Sequence, residues 1–337
     1  MSALTHLGRR TTVLAALLAV LTVVTCASIG LGSRDVDVAT VWGALTDFDP
    51  ASAAQSVIRD MRLPRTLIGL LAGAALGLGG AILQGSTRNP LADPGIMGIN
   101  AGAGAFIVTA ILMFGAMPLS VYVVLAFIGA ALTTALVYVV AAFGREGATP
   151  VKLALAGAAV SAGLYSVTSG VVMLNVDALN ELRFWQVGAL AGRYWPVLTQ
   201  VAPFLILGII AALACGRLLN GLALGDDLAV ALGQRVQRTR IGLFLVVAVL
   251  CGAATAACGP IVFVGLVIPH IARAMCGPEY RWVLVYSAIL GPIVLLVADV
   301  VGRVIAPPGE VQVGVVLGVL GAPAFITLVR RRDLAEL

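Results

Sequence analysis

The stretch RLPRTLIGLLAGAALGLGGAILQGSTRNPLADPGIMGINAGAGA, residues 62–105, carries no charged side chain between Arg65 and Arg88. A helix crossing a bilayer needs about 20 apolar residues, and this run supplies them. Gly73 and Gly77, and again Gly98 and Gly102, stand four residues apart. That spacing puts small residues on one helix face, where two backbones can approach closely. Pro90 and Pro94 end the first helix and delay the second to about Gly95.

The rest of the chain follows the same pattern. Of 337 residues, 60% are hydrophobic and 11% charged, with a mean hydropathy of +1.05. Soluble domains carry about a quarter charged residues, and a fold of this size cannot hide so much apolar surface from water. A soluble enzyme, a disordered chain and a coiled coil are therefore excluded. The 39 glycines suit close helix packing in lipid. The net charge of +5 is spread over short loops, so it reads as membrane topology and not as a nucleic-acid surface. The five cysteines, at 26, 215, 251, 258 and 276, are odd in number and form no CxxC. They read as small apolar filler.

Apolar spans fall at 12–32, 63–83, 95–115, 119–143, 153–174, 196–216, 283–301 and 311–329, and the uncharged stretch 241–272 adds one or two more. Two arguments favour ten in all. The stretch 241–272 is too long for one span, and Gly259-Pro260 breaks it. Both ends also read as cytoplasmic, with Arg9-Arg10 before the first span and Arg330-Arg331-Arg332 after the last. Alternation then puts Arg88, Arg145, Lys152, Arg217, Arg235, Arg238, Arg240, Arg273 and Arg281 inside, and Arg34, Arg59, Arg62, Arg65, Arg183, Arg193 and Arg303 outside. The inner excess obeys the positive-inside rule. The first span reads as retained, because it is long and lacks a small-residue cleavage site.

Two loops are long enough to hold structure. The outer loop 33–62 carries Val36, Val38, Val41, Trp42 and Leu45, the makings of a short amphipathic helix on the membrane surface. The inner loop 217–240 predicts a short helix over Asp226–Leu232, with Asp226 capping its start and Gly233 following its end. Chemistry of the chain's own is missing from the sequence. There is no GxxxxGK[ST], HExxH or GxSxG, and two histidines cannot make a His-rich metal site. Asp299 is the one serious candidate for a charge buried in the membrane. Arg303 lies four residues on, so a local ion pair is the preferred reading.

The motifs taken together resemble the FecCD family, the membrane permeases of bacterial ABC importers for iron-siderophores, haem and cobalamin. They are Arg62-Leu63-Pro64-Arg65, the piece Arg88–Pro94, Leu224-Gly225-Asp226 with Ala229, Leu232 and Gly233, and Gly259–His270 with Arg273. Arg183–Leu190, Ala298-Asp299 with Arg303, Val313-Gly314 and Gly321-Ala322-Pro323 add to them. In detail the chain resembles the catecholate-siderophore branch.

The resemblance implies an all-α polytopic membrane protein with the type II ABC importer permease fold. It has ten transmembrane helices, cytoplasmic termini and one domain over 1–337. It implies no enzymatic activity and no cofactor on this chain, with ATP and Mg bound by a separate ATPase. Its partners would be two ATPase subunits, a second permease (a heterodimer is favoured), an extracytoplasmic binding protein, a ferric siderophore and membrane lipid, and no nucleic acid. Coupling to the ATPase falls on Leu224, Gly225, Asp226, Asp227, Leu228, Ala229, Leu232 and Gly233. Docking of the binding protein falls on Arg62, Arg65 and Arg303. The path falls on the fifth span, at Ser161, Ser166 and Thr168. A haem or cobalamin permease of the same family and an ion-coupled secondary transporter are the alternatives.

Overall fold

A computed structural model describes residues 2–32, 36–143 and 149–331; Arg34, Arg145 and Arg332 lie outside them. Its ordered elements are all helical. At the centre stands α4 (Leu63–Thr87), whose Gly- and Ala-rich sequence is buried almost from end to end. Small side chains permit this, because a side chain at Gly73 would meet the backbone of Gly291 and Pro292, and one at Gly77 the carbonyl of Ser287. Both partners belong to α14 (Tyr280–Ile305). In the same way a side chain at Gly80 would strike Gly265 of α13 (Val264–Cys276). The second pair acts between α5 (Ile99–Phe114) and α6 (Leu119–Ala142), where Gly102 abuts Gly129 and Thr133. Lipid offers no hydrophobic drive for helix association, so such close contact supplies the attraction.

Around this core lie α1 (Ser2–Gly30), α9 (Trp195–Ala214) and α12 (Val236–Cys258). On the flank, α7 (Pro150–Leu174) packs on α5 and α6, and α15 (Val313–Arg331) packs on α13 and α14. Seven helices among the described residues are long and apolar enough to cross a membrane: Gly8–Gly30, Ala53–Thr87, Leu119–Ala142, Pro150–Leu174, Trp195–Ala214, Val236–Cys258 and Tyr280–Ile305. Three shorter apolar helices, Ile99–Phe114, Val264–Cys276 and Val313–Pro323, occupy the other segments read as spans.

The short helices are short because irregular backbone precedes them. After α4, Arg88 takes a left-handed conformation and the chain turns back through Asx turns at Asn89 and Asp93 into a single 3-10 turn, Pro94–Met97. Gly98, also left-handed, starts α5. Between α12 and α13 the break at Gly259-Pro260 extends to Phe263. Such backbone is tolerated at membrane depth only where protein covers and bonds it. Here the Cys258 carbonyl, at the edge of the break, accepts from Ala189 N–H (2.7 Å), and just beyond it, in the first turn of α13, the Leu266 carbonyl accepts from the Gln84 amide (3.1 Å).

The loop 33–62 does hold a short helix: α2 (Val38–Thr46) is capped by Asp37 and leaves Val38 and Trp42 exposed. Then α3 (Ala53–Ser56) runs through a π-helical turn, Val57–Arg62, straight into α4. Helix α7 starts at Pro150, three residues before the expected span, because Thr149 caps it. Helix α1 begins at Ser2, so Arg9 and Arg10 stand on the helix itself, ahead of its apolar run.

Candidate functional site

Three places carry the residues singled out in the sequence: the two ends of the bundle, and a cavity beside α7.

At one end Arg65 and Arg303 converge on Asp299, and Arg62 lines the same cavity. Helix spacing puts Asp299 and Arg303 on one face of α14, and the Arg303 guanidinium donates to the Asp299 carboxylate at 2.6 Å. Arg65 crosses from α4 and holds both oxygens of the same carboxylate, at 2.7–3.2 Å, while its other arm holds Glu310 at 2.8 Å. Arg303 also donates to the Ser28 and Leu31 carbonyls, and Arg62 to those of Ile29 and Gly30. The last carbonyls of α1 have no partner within their own helix, so the arginines satisfy them. The local ion-pair reading of Asp299 is confirmed.

The three arginines expected to dock the binding protein differ in their exposure. Arg303 is 2% and Arg62 6% exposed; both Nη groups of Arg303 and Nη1 of Arg62 donate inside the chain, while the buried Arg303 Nε has no partner among the described residues. Only the Arg65 side chain, 13% exposed, reaches surface. All three nevertheless line one cavity of about 80 Å³, with Glu310 and Tyr194 on its rim.

At the opposite end lie α10 (Gly216–Ala223) and α11 (Asp226–Ala231), a helix close to the expected Asp226–Leu232. The expected cap is corrected: Gly225, at φ 103°, is the N-cap, and Asp226 lies in the first turn. The Asp226 carboxylate is held instead by Arg240 of α12 at 2.9 Å, with Arg88 at 3.6 Å. Gly225 is needed because other residues rarely adopt that backbone angle. Ala229 is fully buried, whereas Leu224, Leu228, Val230 and Leu232 are more than half exposed. Asp227 is exposed and Gly233, at φ 83°, ends the unit. Four exposed apolar side chains around one short helix form a surface that needs a partner. Nearby, Arg10 pairs with Glu279 at 2.9 Å, so the segment before α14 is tied to the first helix.

The third place is a cavity of about 460 Å³ where α5, α7, the break in α12–α13 and the start of α15 meet. Helix α8 (Val176–Gln186), which holds the Arg183-Phe184-Trp185-Gln186 motif, closes it with Trp185 and Gln186. The Gly188 carbonyl accepts from Gly314 N–H at 3.1 Å, and Gly188 itself abuts Pro260. Three separate motifs are thus stitched together at one point. Of the three expected path residues, Thr168 lines this cavity, buried and with a hydroxyl that lacks a partner. Ser166 is exposed, and its hydroxyl donates back to the Ala162 carbonyl. Ser161 lies beside Gly98 at the start of α5 and does not line this cavity. Asn100, Tyr165 and Gln186 line the cavity and were missed. Asn100 was detectable as the single polar side chain early in its span, and it accepts from Thr255 at 3.1 Å. The rest needed the fold.

Comparison with known proteins agrees with this geometry. The family model of the FecCD transport family matches residues 20–331. The ferric enterobactin transport system permease protein of Escherichia coli (strain K12) is 45% identical over 94% of both chains. The Fe(3+)-citrate import system permease protein of Bacillus subtilis (strain 168) is 42% identical over 90% of both. A solved metal-chelate type ABC transporter in an inward-facing conformation superimposes with a TM-score of 0.84 at 27% identity, covering 96% of this chain and all of that one. A match that runs nearly end to end, through every motif described above, places the chain in the FecCD transport family of multi-pass membrane permeases.

Proposed function

We propose that this chain is the permease subunit of an ABC importer that carries a ferric siderophore of catecholate type across the bacterial cytoplasmic membrane. The reading is carried by the 45% identity, over 94% of both chains, to a permease named for ferric enterobactin. The chain makes ten crossings, the seven long helices and the three shorter ones, with both termini cytoplasmic and the Asp226 end inside. The positive-inside rule supports this orientation, since Arg10, Arg88, Arg240 and Arg273 share the Asp226 end.

Each place then has a role. The exposed leucines of α11 enter a groove on the separate ATPase, which holds ATP and Mg, as amphipathic helices enter partner grooves. The face of α7 that carries Gly163, Ser166 and Gly170 is exposed and meets nothing else among the described residues, and it suits the second permease, a non-identical one, across a central path. The cavity beside Thr168 is the chain's share of that path. Arg65 receives a carboxylate of the binding protein in the cavity at the outer end, because a planar guanidinium can hold a carboxylate with two bonds.

The test is uptake of iron-labelled ferric enterobactin in a host without its own permease, supplied with this chain, its second permease, ATPase and binding protein. Uptake requires every component and survives collapse of the membrane potential while ATP is maintained. Uptake that persists without the ATPase overturns the importer reading. Competition by haem or cobalamin, but not by a catecholate complex, overturns the substrate.

A further inference from the structure

A groove of about 280 Å³ runs between α6 and α12 toward the Asp226 end. Ala131 and Ala135, one turn apart on α6, make its trough, and Leu245, 62% exposed, makes its far wall. Phe127, packed on Phe204 with ring centres 4.8 Å apart, closes one end. At the other end the Tyr138 hydroxyl accepts from the Gln237 amide at 3.0 Å, so the wall becomes polar just where α12 begins. Below that point stand Arg235 and Arg238, both exposed and with no ion pair among the described residues. Arg238, Ile241, Leu245 and Ala248 are spaced three, seven and ten residues along α12, so they share the face that lines the groove. The first turn of α12 contains no acidic residue. An apolar trough thus ends in two unpaired guanidiniums.

We propose that this groove binds one anionic phospholipid of the cytoplasmic leaflet, with an acyl chain in the trough and its phosphate between Arg235 and Arg238. An uncharged trough suits a lipid tail. Basic groups at the cytoplasmic edge of a cleft between membrane helices recognise anionic headgroups, and arginine side chains extend to the headgroup level while their stems stay in the apolar layer. The site is also joined to the coupling element, because Arg240, two residues beyond Arg238, holds Asp226 of α11 at 2.9 Å. A lipid fixed at this turn therefore buttresses the helix that meets the ATPase. The proposal rests on the membrane orientation given above and is independent of the substrate.

The test is retention of lipid by the full-length protein, as the assembled importer and as the isolated permease. Native mass spectrometry follows one dioleoylphosphatidylglycerol against one dioleoylphosphatidylcholine added at equal concentration. The wild type retains the anionic lipid several-fold better in both preparations. Arg235→Glu with Arg238→Glu removes that preference without a loss of thermal stability, since both side chains are exposed. Ala131→Trp fills the trough and lowers retention of both lipids. Equal retention of the two lipids by the wild type overturns the proposal, as does undiminished phosphatidylglycerol in the charge-reversed variant. Loss of the lipid on assembly also overturns it, because a partner subunit would then be the occupant. If Ala131→Trp fails to fold, the charge-reversed variant alone decides. The orientation is read separately, from the side of the membrane at which Arg238→Cys reacts with an impermeant thiol reagent.

Discussion

Asp299 shows how two similar ion pairs differ in worth. Its carboxylate is 1% exposed and holds two guanidiniums, one of them on a side chain 2% exposed. Removing one member of a buried pair leaves an uncompensated charge, which costs about 3–5 kcal/mol. Asp226, whose side chain is 41% exposed, also accepts from one arginine and neighbours another, yet exposed pairs contribute only about 0–1 kcal/mol. Asp299→Asn is therefore expected to lower the thermal midpoint in detergent by many degrees, and Asp226→Asn by few. Adding Arg303→Met to Asp299→Asn removes one of the stranded charges and recovers part of the loss. If Asp299→Asn alone is as stable as the wild type, the network is not what joins α1, α4 and α14. Much of this was legible in advance. The four-residue spacing of Asp299 and Arg303 shows in the sequence, so their pairing could be read. Arg65 stands 234 positions from Asp299, and no local pattern links residues that far apart.

Elements follow the same division. Helices α4, α6, α7, α9 and α14 could be read from apolar length alone, and Gly259-Pro260 marked the cut between α12 and α13. The irregular turns before α5 and α13 were seen only as proline punctuation. The second of them is held at its edge by a distant group, the Ala189 N–H on the Cys258 carbonyl, and local propensity says nothing about that bond. Helix α11 lies between these cases. Its existence was legible from its leucines, but the cap was not, because Arg240 competes for the Asp226 carboxylate that would otherwise turn toward the backbone. With six residues, α11 is far below the length at which a helix is stable alone, so its neighbours in the chain hold it. Replacing Leu228 and Leu232 together by Asp leaves the buried Ala229 contact untouched and makes the exposed face acidic. The variant should insert and fold normally, while substrate-stimulated ATPase activity in proteoliposomes falls at least about tenfold, as for the loss of a central apolar contact of ~1.4 kcal/mol or more. Normal stimulation would remove the coupling role from α11.

Across the whole molecule, the proposed roles put the Arg65 end, the cavity beside α7 and the Asp226 end in series, so each can be tested by how it responds to the others. In a background with the exposed Cys26 replaced, Thr168→Cys should react with a polar thiol reagent at a rate that depends on the nucleotide state of the ATPase. Ser161→Cys, set against Gly98, should stay protected throughout. Equal protection at both positions would reduce α7 to a packing helix. At the outer end, reversing all three arginines is a poor test of docking, because Arg303→Glu would put a second carboxylate against Asp299 and damage the fold. Glu310 offers a cleaner one. Its carboxylate sits 25% exposed on the cavity rim and occupies one arm of Arg65, the arm nearest the surface. An acidic group arriving from the binding protein must compete with it. Glu310→Gln removes the competitor and one negative charge from the mouth, while the buried bonds of Arg65 to Asp299 remain. Association of the binding protein should then quicken several-fold at low ionic strength, since charges at an interface rim act mainly on the encounter rate. The gain should shrink at about 0.15 M salt, where the Debye length falls to about 8 Å. Basal ATPase activity in detergent should not change, because the inner end is untouched. An association rate unaffected by Glu310→Gln at any salt concentration would mean that Arg65 serves the fold alone and that the binding protein lands elsewhere.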